Sequence, residues 1–66
     1  MSRAVFVAVR RLRFGYLIQT VAGAMSVAVA VERLRRLAEF AWVSGEDQEA
    51  AEILEDVEAM EATDNG

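Results

Sequence analysis

Sixty-six residues with a formal charge of −4 leave room for one small unit, and so short a chain buries too little apolar surface to be comfortably stable without a metal, disulfides or partners. The chain has neither Cys nor His, which excludes a disulfide framework, a thiolate nucleophile and the usual zinc ligands together. Hydrophobic residues make up 55% of it, more than so small an interior can hold, and the surplus calls for lipid or another protein.

Charge is unevenly placed. All seven basic residues are arginine and lie at or before Arg36, whereas most of the eleven acidic residues follow, from Glu39 to Asp64. The arginines bracket an apolar run instead of lining a polar face. Membrane-surface phosphates are therefore the expected anions, and nucleic acid is not an expected partner.

Residues 1–13 read as a basic N-terminal segment. On a helix Val5, Val9 and Leu12 share one stripe while Arg3, Arg10 and Arg13 spread elsewhere, which suits either an interfacial segment or the start of the next helix.

Segment 14–43 follows. Its first part, Phe14 to Val31, runs FGYLIQTVAGAMSVAVAV with no group that ionises near neutral pH. About 18 residues of this kind is close to the minimum that crosses a hydrocarbon core of roughly 30 Å as a helix. Arg10, Arg11 and Arg13 fence one end and Arg33, Arg35 and Arg36 the other, as collars expected on lipid phosphates. Ala22, Ser26 and Ala30 recur at every fourth position and form a small-residue stripe for helix packing, to which Gln19 can add an interhelical hydrogen bond. Large and small residues also nearly alternate from Val21 to Val31, which is a strand signal. Both faces of such a strand would be apolar, and no Asn-Gly or Asp-Gly turn marks a bend, so the helix is preferred. A secretory leader ending at Ala28-Val29-Ala30 competes for the same run. The anchor reading leads.

The segment continues as ERLRRLAEFAWV. Leu34, Leu37, Ala38 and Ala41 keep a helical rhythm, and no Gly or Pro interrupts the join, so the spacing predicts one helix from about Tyr16 to Val43. Trp42 near its end is a candidate docking residue. Ser44-Gly45 is the clearest break, with Gly45 a left-handed cap and Ser44 able to cap what comes next. In segment 44–62, Glu46, Asp47 and Glu49 stand where a helix N-terminus favours negative charge, and Ala50, Ile53, Leu54, Val57 and Met60 follow at spacings of three and four. Ile53, Leu54 and Val57 join Trp42 as the expected partner-binding residues. Residues 63–66 are a polar tail.

No glycine-rich phosphate loop, dinucleotide fingerprint or His-containing acid–base pair is present, and carboxylate pairs such as Glu55 and Glu58 read as a solvated face. No catalytic, cofactor-binding or metal-ligating residue is assigned, and the chain is not expected to be an enzyme. The expected fold is all-α: one long apolar transmembrane helix, then a short acidic amphipathic helix, with no independent globular core. The expected function is that of a small single-pass membrane protein, a structural or assembly subunit of a larger complex such as a virion membrane or coat, or an accessory subunit of a membrane complex. Its partners would be other protein subunits and lipid. The alternative is a soluble helical hairpin, folded at Ser44-Gly45, that buries Phe14–Val43 in an obligate oligomer or capsid-type shell. In that case the acidic second helix folds back beside Arg33, Arg35 and Arg36.

Overall fold

Two glycines with positive φ, Gly23 at 79° and Gly45 at 85°, decide where the helices stop. The computed structural model describes residues 3–65, with side chains to Thr63; Met1 and Ser2 of the N-terminal segment and Gly66 of the polar tail lie outside the described residues. Three helices are formed: α1 (Arg3–Val21), α2 (Val27–Val43) and α3 (Asp47–Asn65).

At the end of α1 the Gly23 N–H donates to the Thr20 carbonyl (3.1 Å) and the Ala24 N–H to the Gln19 carbonyl (2.8 Å). These are the paired bonds of a Schellman stop, which needs a left-handed residue just past the helix, and glycine adopts that conformation without a Cβ clash. Three residues later the Ser26 hydroxyl accepts the Val29 N–H at 3.2 Å and opens α2. The second stop repeats the first: Gly45 N–H to the Trp42 carbonyl (3.1 Å) and Glu46 N–H to the Ala41 carbonyl (2.8 Å). Ser44 is thus the C-cap of α2 rather than the start of α3. Asp47 and Glu49 occupy the first turn of α3, where their charge complements the helix dipole.

The helices enclose a shared core. Leu34, Leu37, Ala38 and Ala41 of α2 meet Ala50, Ile53 and Val57 of α3, and Val9 of α1 closes the cluster. Val5, Tyr16, Leu17, Val31 and Met60 pack at its margin. The alanines at the α2–α3 contact leave little to separate the two backbones, and these helices pack most intimately, with α1 resting chiefly on α2.

This architecture overturns the expected transmembrane helix. The run Phe14–Val31 is divided between the last turns of α1, the turn at Gly23 and the first turn of α2. No helix among the described residues is long and apolar enough to cross a membrane. The reason is local: the Gly23 stop and the Ser26 start interrupt the run, and α1 carries Arg3, Arg10, Arg11 and Arg13. A single-pass membrane location does not hold, nor does the role of a membrane-anchored subunit of a virion or membrane complex that depended on it. The expected absence of a globular core is corrected as well, because the acidic helix turns back and completes an intramolecular three-helix bundle. Of the two functional expectations, the helical-subunit alternative is the better supported.

Candidate interaction surface

Most of the arginines are engaged inside the chain. Arg10 Nη1 donates to Glu49 Oε1 (2.9 Å); Arg13 Nε donates to Asp56 Oδ2 (2.8 Å) and its Nη1 to Glu52 Oε1 (3.0 Å). Arg13 Nη1 also stands 3.6 Å from Glu49 Oε2, a buried oxygen with no hydrogen-bond partner. The Glu49 side chain is 4% exposed, so the two guanidinium charges beside it offset the cost of removing its carboxylate from water. Phe6 and Phe14, one turn to either side of Arg10, hold its guanidinium between their rings at 5.6 and 5.1 Å, and Phe14 also meets Arg13 at 5.3 Å. The hydrogen bond to Asp56 raises the Arg13 pKa further above neutrality, against the lowering effect of burial. Donation from Gln48 and then from Arg13 holds the partly exposed Glu52 carboxyl below the usual glutamate range. The backbones of α1 and α3 make little direct approach, so this cluster is the clasp between them.

The second arginine cluster is more dispersed. Arg35 donates to Glu61 (2.8 Å), Arg36 to Glu32 one turn away (3.0 Å), and Arg33 lies over the Tyr16 ring at 6.0 Å. With no spanning helix there is no collar for these six arginines to form. Arg11, like Arg3, has no carboxylate within ion-pair distance among the described residues.

The expected packing stripe is split in the same way. Ala22 lies in the α1–α2 turn, Ser26 is the N-cap, Ala30 is buried in α2, and Gln19 is exposed near the end of α1 with its carbonyl serving the turn. The structure does not place them on one helix. Of the expected partner-binding residues, Ile53 and Val57 are buried against the chain's own α2 and α1, Leu54 is half-exposed, and Trp42 is 64% exposed.

Two of the apolar surfaces outside the core bear on assembly. The first is the outer side of α1. Ala4, Val7, Arg11, Phe14, Ile18 and Val21 follow at spacings of three and four and so form one stripe. At 3.6 residues per turn, Ile18 stands about 180° round the helix from the buried Val9. Ile18 is 66% exposed and Val21 91% exposed. The second surface is a shallow groove of about 330 Å³ between α2 and α3, lined by Arg35, Ala38, Glu39, Trp42, Ala50 and Leu54. It lies on the far side of the α2–α3 pair. Trp42 is about 180° round α2 from Arg33, which faces α1, and Leu54 is about 160° round α3 from Glu52, which is clasped to α1. Among the described residues no group of three or more acidic side chains is placed to hold a metal ion.

Comparison with known proteins gives no match, whether to a protein-family model, to a curated protein or to a solved structure. The outer stripe of α1 is cut in two by a segment boundary at Arg13, which hides it in the sequence. Its signal is the unbroken three–four spacing from Ala4 to Val21.

Proposed function

We propose that this chain is a non-catalytic assembly subunit, a three-helix module that joins other protein subunits through the outer face of α1. The observation that carries the reading is the exposed run of Phe14, Ile18 and Val21, continued toward the N-terminus by exposed Ala4 and part-buried Val7, on a helix whose opposite side already satisfies the core. Contiguous exposed apolar side chains of this kind are the usual mark of a surface that another protein covers, whereas single exposed residues carry no such meaning. The composition supports the same reading, since a chain without His or Cys lacks the common acid–base and nucleophilic groups. The bound partner would supply the apolar cover that the chain's own surplus of hydrophobic side chains requires.

The test is the size of the native complex. A tagged full-length chain, released gently from the cells that make it, is expected to migrate well above the monomer. Ile18→Glu is expected to return it to monomer size while the far-ultraviolet circular dichroism of the purified variant stays helical. Migration of the unsubstituted chain as a monomer would remove this proposal.

A further inference from the structure

We infer that one partner of this chain is a second copy of itself, bound head to tail, with the outer stripe of α1 from one copy seated in the α2–α3 groove of the next. This rests on the assembly reading above and names the occupant of both surfaces. The two surfaces match in form. A helix that presents apolar residues at spacings of three and four is suited to lie in a groove between two other helices, and the groove floor of Ala38, Trp42, Ala50 and Leu54 is apolar.

They also match in charge. Arg3 and Arg11 on the α1 face have no carboxylate in ion-pair range among the described residues. Glu39 at the groove and Glu58, one turn beyond Leu54, are likewise without a cation there, while Arg35 in the groove is held by Glu61. Pairing α1 with α1 of a second copy would instead bring arginines against arginines, with no carboxylate on either outer face to separate them.

The bundle itself already uses this chemistry. One side of the α2–α3 pair is covered by the chain's own α1 through apolar contact and arginine–carboxylate bonds. The opposite side offers a smaller version of the same arrangement. The chain's own α1 does not reach it, because the short turn at Gly23 and the clasp to α3 hold α1 on the first side. Each copy then carries one donor face and one acceptor groove, so association continues from copy to copy into a ring or a filament.

Complementation between two damaged chains tests this. The purified full-length chain is followed by sedimentation from micromolar to millimolar concentration, with emission from its single tryptophan, Trp42, as a second readout. The mass is expected to rise beyond dimer, and emission to move to shorter wavelength as Trp42 is covered. Ile18→Glu, which spoils the stripe, and Trp42→Arg, which spoils the groove, should each weaken association by about 30-fold or more. Mixed in equal amounts, the two variants should form a one-to-one dimer and nothing larger, because one intact face meets one intact groove. If either variant proves unfolded, the charge pair replaces it: Arg11→Glu alone loses association and recovers it when mixed with Glu39→Arg/Glu58→Arg. Association of Trp42→Arg equal to that of the unsubstituted chain, with Ile18→Glu monomeric, overturns the groove assignment and leaves α1 against α1. An unsubstituted chain that stays monomeric at millimolar concentration overturns self-association. Binding of that monomer to anionic phospholipid vesicles would then give the α1 face to lipid. In either failure the size of the native complex still decides the assembly reading separately.

Discussion

Arg13 is the residue on which the α1–α3 contact turns. It bonds Asp56 and Glu52 and faces the buried oxygen of Glu49, with only 12% of its side chain exposed. Hydrogen bonds to charged groups contribute about 1.5–3 kcal/mol, and removing one member of a cluster leaves the others uncompensated. Arg13→Ala is therefore expected to lower unfolding free energy by about 2–3 kcal/mol in a urea titration. The cluster also has a pH signature. The Glu52 carboxyl is held below its unfolded value, so the native state binds fewer protons than the unfolded chain in the acid range. Its contribution is present above the unfolded value, declines as pH falls, and is gone once pH passes below the folded value. The stability gap between the unsubstituted chain and Glu52→Gln should accordingly shrink on acidification and vanish at the acid end. A gap that stays constant with pH would remove Glu52 from the clasp. None of these pairings could be read from spacing, because the partners lie 39 to 43 residues apart and only the fold brings them together.

At the scale of the element, two short local signals carry most of the architecture. Gly23 ends α1 and Ser26 starts α2. A Cβ built on Gly23 meets no atom within 4 Å, so the cost of Gly23→Ala is conformational alone, about 1–2 kcal/mol for a left-handed non-glycine residue. Ser26→Ala should cost about 1 kcal/mol by removing the cap on Val29. Thermal unfolding of the single and double variants would check both values. The double variant is also the one to watch for a swapped dimer with α1 and α2 fused, since both signals that oppose a continuous helix are then gone. The break at Gly45 was legible because polar residues surround it. The break at Gly23 has the same glycine chemistry but sits among Ala22, Ala24 and Met25, where hydropathy registers no change. A measure of apolarity tracks how much side chains avoid water, not where the backbone turns.

For the whole molecule, the question is whether the chain's own core or a partner's surface covers its apolar residues. Leu34 is fully buried among α1, α2 and α3, so Leu34→Ala should cost about 2–5 kcal/mol through lost burial and the cavity left behind. Ile18→Ala on the outer face should change the stability of the monomer by no more than about 0.5 kcal/mol. Urea unfolding at low concentration measures both. Equal costs would mean that the outer face belongs to the folded core, and the case for an assembly surface would fall. The division of the 55% hydrophobic content follows from size: a bundle of three short helices encloses one small cluster, and much of what remains is left on α1 and around Trp42.

By itself the sequence determined the helical rhythm after Glu32, the apolar spacing of Leu34, Leu37, Ala38, Ala41, Ile53 and Val57, and the turn at Ser44-Gly45. Each follows from interactions within a few residues: a 3.6-residue period, a glycine that accepts positive φ, carboxylates at a helix start. Only the tertiary structure decided what those apolar positions touch, which carboxylates hold Arg10 and Arg13, and that Phe14–Val31 turns at Gly23 instead of forming one continuous helix. A hydrophobic pattern records which side chains leave water. It carries no label for the surface that receives them, because lipid, a partner and the chain's own helices all offer nearly the same gain per unit of apolar area.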